Sequence, residues 1–100
     1  MCESSLTETM TMFQLTGFQR DLLYVIARLE RPSGQRIKEE FEEDTGIEVN
    51  HGRLYPNLDT LVENGLVVRG DLDRRTNYYA LSETGEQALV ERREWEEKYF

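Results

Sequence analysis

The sequence predicts a mainly α domain with one small β-hairpin, and three observations lead there. Three stretches place apolar residues at helical spacing behind a capping residue. Two short β-rich runs flank the turn Gly70-Asp71-Leu72-Asp73-Arg74-Arg75. A last stretch, led by Ser82, returns to helical composition and carries several aromatic residues. In 100 residues, 38% of them hydrophobic, these elements have to share one modest core.

The elements follow in order. Residues 1–14 mix Ser, Thr, Glu and Met without a period and are expected to form a flexible arm. Thr16 caps a helix from Gly17 to Leu29, whose core stripe is Phe18, Leu22, Val25, Ile26 and Leu29. Arg31-Pro32-Ser33-Gly34 breaks the chain, and Ser33 caps a second helix with Ile37 and Phe41 four apart. Glu39, Glu40, Glu42, Glu43 and Asp44 of that helix are expected on a solvated face, and Thr45-Gly46 ends it. Asn50 caps a third helix that ends at Asn64-Gly65, with Leu54, Leu58 and Leu61 turned toward the first helix. Pro56 lies beyond the first turn and opposes the carbonyl of Gly52, which predicts an irregular opening turn.

Leu66-Val67-Val68 begin a strand, and Thr76 to Leu81 return as its partner. Tyr78 and Tyr79 must point to opposite faces, with Tyr79 the expected core residue. Ser82, followed by Glu83, Glu86 and Gln87, opens a helix running toward Phe100. Two helices joined by a short turn and followed by a hairpin make a winged helix-turn-helix. The expected division is residues 1–14 as arm, 15–82 as a DNA-binding winged domain, and 83–100 as a dimerisation helix.

In that arrangement the leucines occupy one side of the third helix, leaving Asn50, His51, Gly52, Arg53, Tyr55, Pro56 and Asn57 for a DNA groove. Arg53 suits guanine, Asn50 or Asn57 suits adenine, and Gly52 lets the backbone approach. Arg74 and Arg75 of the hairpin suit phosphates or a narrow minor groove, with Thr76 and Asn77 as neutral donors. Alternatives stand beside these readings. His51 and the two wing arginines also suit a solvated turn, and Tyr55 is either a phosphate donor or a packing residue.

Charge opposes this reading at first sight. Twenty Asp and Glu face twelve Lys and Arg, a net −8, and DNA is an anion. Residues 50–80, however, hold four arginines (53, 69, 74, 75) and four acids (Asp59, Glu63, Asp71, Asp73), so the whole excess lies elsewhere. Lys38 and Lys98 are the only lysines. Many carboxylates with few lysines fit a chain that stays soluble in molar salt, where repulsion is screened within roughly 3 Å.

The stretch from Gly52 to Leu61, with Leu54-Tyr55-Pro56 inside it, and the following Glu63-Asn64-Gly65-Leu66-Val67 resemble the third helix of PadR-like transcriptional regulators. Residues Arg74 to Gly85, with Tyr78-Tyr79, resemble their wing and the start of their last helix. The acidic composition is similar to the haloarchaeal branch, which includes an oxidative-stress regulator. The resemblance implies a homodimeric, stress-responsive winged-helix regulator with Tyr55, Pro56 and the wing arginines at or near DNA.

The last helix supplies the expected partner surface. Ala88, Trp95 and Tyr99 fall on one line, with Leu89 and Phe100 beside it. A two-fold seam closed by Met10, Met12, Phe13 and Leu15 of the arm buries them; packing on the first helix is the alternative. A dimer places two reading helices about 34 Å apart, suiting double-stranded DNA with an inverted-repeat operator. Cations such as K+ are expected to bridge carboxylates to phosphates. A winged-helix protein-interaction module without DNA binding is the rival.

Other classes fare poorly. One histidine (His51) and one cysteine (Cys2) give no metal cluster, no internal disulfide and no nucleophile–base pair, so neither a cofactor nor an enzyme is expected. No apolar run approaches a membrane span and no signal pattern opens the chain, so a cytoplasmic location is expected.

Overall fold

In the computed structural model the structure describes residues 12–100; Cys2 and Met10 lie outside them. The order is α1 (Gly17–Arg28), α2 (Gly34–Thr45), α3 (His51–Glu63), β1 (Val67–Asp71), β2 (Asn77–Leu81) and α4 (Glu83–Glu97). Each helix begins where a side chain satisfies an orphan amide. Thr16, Ser33, Asn50 and Ser82 accept from the amides of Gln19, Arg36, Arg53 and Gly85. At Thr16 the Gln19 side chain accepts the cap's own amide in return, completing a capping box. Gly46 ends α2 in the left-handed conformation, φ 72°, which a residue with a Cβ adopts only with strain.

α3 runs without interruption from His51, so the irregular opening turn expected at Pro56 is not found. The proline ring removes one intrahelical hydrogen bond, and the surrounding turns keep helical geometry through the bonds that Asn50 accepts from Arg53 and Leu54. Such an interior proline costs a helix about 3 kcal/mol.

One core gathers every element. Leu22, Leu23 and Ile26 of α1 meet Ile37 and Phe41 of α2, and Leu54, Leu58 and Leu61 of α3 close over them with Leu66, Val67 and Tyr79. Each of the three α3 leucines is fully buried and contributes about 2 kcal/mol. Leu23 lies outside the stripe read from spacing, because α1 is covered from two sides. Tyr79 is the inward tyrosine of β2, as expected from alternation. Leu15 is also core, 4% exposed, and therefore has no surface left to offer the intermolecular seam expected of it.

The acids of α2 do not all form a solvated face. Glu40 is buried and binds Arg28 of α1 and Arg36 of its own helix, both at 3.1 Å. Two guanidinium groups compensate the buried carboxylate and tie α1 to α2.

The hairpin is antiparallel, with Val67 opposite Leu81 and Asp71 opposite Asn77. It is joined to the helix-turn-helix by the α1–α2 connection. The Tyr79 amide donates to the Pro32 carbonyl at 2.9 Å, and Ser33 forms an isolated bridge with Tyr78. Arg31, at φ 48°, turns the chain into this contact and lays its guanidinium over the Tyr78 ring, 4.7 Å from the centroid. The wing is thus fixed to the start of α2.

α4 crosses the end of β1 at Gly85, where a Cβ would collide with the Leu66 carbonyl oxygen. Backbone on both sides leaves little room to yield. Gly85→Ala is therefore expected to destabilise the domain by roughly 1–3 kcal/mol, read as a lower urea midpoint at unchanged m-value.

Candidate nucleic-acid interface

The leucine face fixes how α3 is rolled. With Leu54, Leu58 and Leu61 inward, Gly52, Pro56, Asp59 and Glu63 are exposed on the opposite side. Asn50, His51 and Arg53 are exposed at the first turn, while Tyr55 and Asn57 are half-buried on the flanks.

The residues expected to read bases separate into two groups. Arg53 is exposed, and its guanidinium lies 4.0 Å from the centroid of the Phe18 ring. Stacking leaves the N–H groups in their plane, so the fork is oriented and still able to donate. The asparagines are occupied. Asn50 Oδ1 accepts the Arg53 amide at 2.8 Å as the helix cap. Asn57 Oδ1 accepts from Gln19 Nε2 at 2.9 Å, and its Nδ2 donates to the Arg53 carbonyl at 2.8 Å. Bidentate pairing with adenine needs both the oxygen and the amide nitrogen, so neither is presented for it here.

Tyr55 leans on the start of α2. A Cβ at Gly34 would come within 2.5 Å of the Tyr55 hydroxyl oxygen, so glycine there makes the close approach possible. Beside them the wing closes an open cleft of about 510 Å³, lined by Ser33, Gly34, Gln35, Tyr55, Arg75, Thr76, Asn77 and Tyr79. The cleft joins two groups that the sequence offers separately, the flank of α3 and the hairpin tip. It adds Ser33, Gly34 and Gln35, which sequence reasoning missed because long-range contacts of Arg31, Pro32 and Ser33 with Tyr78 and Tyr79 bring α2 to the wing.

The tip is pre-shaped. Asp73 Oδ1 accepts the amides of Arg75 and Thr76 at 2.9 and 3.0 Å, and the Leu72 amide donates to the Thr76 carbonyl at 2.8 Å. Arg74 and Arg75 are exposed, and among the described residues neither is paired with a carboxylate. Arg69 differs, bound to Asp59 at 2.9 Å and linking β1 to α3. Burial raises the Tyr79 hydroxyl above its usual pKa, with neighbouring Arg69 acting in the opposite direction. Neither α2 nor α3 has an acid in its first turn, whereas α4 has Glu83 and Glu86. The α2 start thus has no acid of its own turn against its dipole, which favours an anion there, whereas the Glu42 carboxylate on the Val49 amide already lies beside the start of α3.

At the other end of the chain, Trp95 meets the Phe13 ring edge-on at 5.1 Å and Tyr99 at 5.1 Å, with Arg92 over the indole at 4.7 Å. Phe13 and Tyr99 stay more than half exposed. Ala88 and Leu89 pack partly on the core.

Residues 22–91 match the PadR-like family of transcriptional regulators. The chain belongs to that family. Two solved structures of H. salinarum RosR are similar to it. A RosR complex with S1 is 51% identical over 88% of this chain and 78% of that one, with a TM-score of 0.84. RosR grown from NaBr is 52% identical over 87% and 78%, with a TM-score of 0.82. A crystal structure of MarR, 24% identical over 84% of this chain and 58% of that one, has a TM-score of 0.70 and shares the fold. No curated protein sequence matches. The chain is thus a PadR-like winged-helix transcriptional regulator. No described helix is long and apolar enough to cross a membrane, and no described group of His, Cys, Asp and Glu is arranged to hold a metal.

The turn between α2 and α3 depends on Glu42. Its carboxylate accepts the Val49 amide at 2.8 Å and pairs with Lys38 at 3.0 Å. The Val49 amide bond, then Lys38, holds its pKa below the ordinary 4.5. A lowered folded-state pKa gives stability that is present above 4.5 and lost as pH falls through the folded value. Glu42→Gln should flatten the acid limb of a urea-midpoint profile below that pH, leaving the neutral limb's shape unchanged.

Proposed function

We propose that this regulator binds double-stranded DNA as a homodimer, on an inverted-repeat operator, in a salt-rich cytoplasm. The observation that carries the reading is the cleft between the start of α2, Tyr55 and the wing. It brings the amide end of a helix, a tyrosine ring on the flank of α3 and an arginine unpaired among the described residues to one place. A phosphate fits that chemistry, with Arg75 supplying charge and Thr76 and Asn77 neutral donors. Arg53 is the candidate for a guanine contact. The RosR complexes among the similar structures agree with a regulator that works in contact with a partner.

The dimer reading rests on Phe13, Trp95, Tyr99 and Phe100, which form an exposed aromatic surface along the end of α4. Exposed aromatics on this scale in a small acidic domain suit a two-fold seam, with Ala88 and Leu89 at its inner margin. The arm's contribution reduces to Phe13, since Met12 and Leu15 are buried in their own chain. The excess of carboxylates suits bridging cations such as K+ where acidic surface passes near phosphates. Stress-responsive control is carried over from the resemblance alone.

Two measurements test this. In mobility shifts with genomic fragments, Arg74→Ala with Arg75→Ala should cost about tenfold or more in affinity. Unchanged retention with no preferred sequence would favour the protein-interaction reading. In a KCl titration, affinity should fall less steeply than the counterion-release slope of roughly −0.9 per neutralised phosphate, or rise. An ordinary steep loss would exclude bridging cations while leaving the DNA reading intact.

A further inference from the structure

The middle of the exposed line of α3 offers little hydrogen-bonding chemistry. Both polar atoms of Asn57 are bonded within the chain, Asn50 Oδ1 is held as the helix cap, Asp59 is held by Arg69, and the Thr60 hydroxyl donates to the Pro56 carbonyl at 3.1 Å. Between the exposed His51 and Arg53 at the first turn and Asp59 beyond, the outward line is Gly52 and Pro56, four residues apart and both exposed.

No backbone conformation demands the glycine. Gly52 has no positive φ, and a Cβ there would meet only the Asn50 Oδ1, at 3.3 Å, so alanine fits once that exposed cap side chain gives by a few tenths of an ångström. Alanine is also the better helix former. Pro56 removes a helical hydrogen bond, and its ring is exposed, so no burial offsets that loss. Two helix-unfavourable residues, one turn apart on the outward line, mark a surface shaped for something outside the chain. The glycine allows the backbone to come close, and the proline sets an apolar ring beside it.

We infer that α3 reads thymine through its 5-methyl group, packing the Gly52–Pro56 surface against methyls in the major groove. The methyl is the one apolar feature that distinguishes bases there, and it is what the Gly52 and Pro56 side chains, which carry no donor or acceptor, are able to match. Arg53, oriented by Phe18, adds a guanine contact next to this surface. Such packing neutralises no phosphate, so it keeps its strength as salt rises. The inference rests on the DNA-binding reading above and specifies which sequences it selects.

The probe is the set of duplexes that the wild-type chain enriches from a randomised pool. Thymines should recur within each half-site, and replacing a contacted thymine with deoxyuridine deletes only the methyl. That change should weaken binding about fourfold per methyl, with the slope of log K against log salt unchanged. Gly52→Ala should stay folded with a melting temperature within a few degrees of wild type, since the gain in helix propensity opposes the tight contact with the Asn50 cap. It should nonetheless bind the enriched duplex about tenfold more weakly and lose the distinction between thymine and deoxyuridine. Unchanged binding by Gly52→Ala, or indifference to deoxyuridine at every position, overturns the inference and leaves DNA binding standing. If no duplex is enriched, the DNA-binding reading itself fails.

Discussion

Burial of Leu54, Leu58 and Leu61 against α1 and α2 is the constraint on which the rest depends. It sets the roll of α3, and the roll decides which side chains remain for a partner. Two polar contacts hold the same setting. Gln19 reaches across from the α1 cap to Asn57, and Arg53 lies on Phe18. A second joint, the Pro32–Tyr79 hydrogen bond, ties the wing to α2, so helix and hairpin keep a fixed relation. A recognition surface built from separate elements needs such joints, because a loose wing would lose affinity to ordering entropy.

Local rules recovered the local structure. The four caps, the left-handed Gly46 and the inward Tyr79 each depend on neighbours within a few residues, so spacing and residue type sufficed. The failures share a cause. Asn57 is bound to a residue 38 positions away, Glu40 to Arg28 on another helix, and Leu15 to a core formed by the whole chain. Nothing near Asn57 in sequence indicates that its amide is already used. The pairing of Tyr55 with Gly34 was hidden in the same way, although a glycine directly after the Ser33 cap was an available hint.

The acidic composition is less opposed to DNA than the net charge suggests. Several carboxylates in and near the reading region have structural tasks. Glu42 holds the helix–helix turn, Asp59 holds Arg69, and Asp73 closes the wing tip by accepting two backbone amides. Among the described residues, Arg74 and Arg75 are not paired with a carboxylate at the end of the hairpin. Positive charge is therefore available at the tip and at the start of α2, while Glu63 and Asp71 are the acids left exposed on α3 and the hairpin.

The central proposal is spatial: that DNA is received on the surface made of the start of α2, the first turns of α3 and the hairpin tip. Amide hydrogen exchange of the full chain, with and without an enriched duplex, tests it most directly. Added protection is predicted at Ser33 to Gln35, at Gly52 and Arg53, and from Leu72 to Asn77, with the exposed acidic side of α2 unchanged. Protection confined to that acidic side or to the aromatic end of α4 would contradict the account.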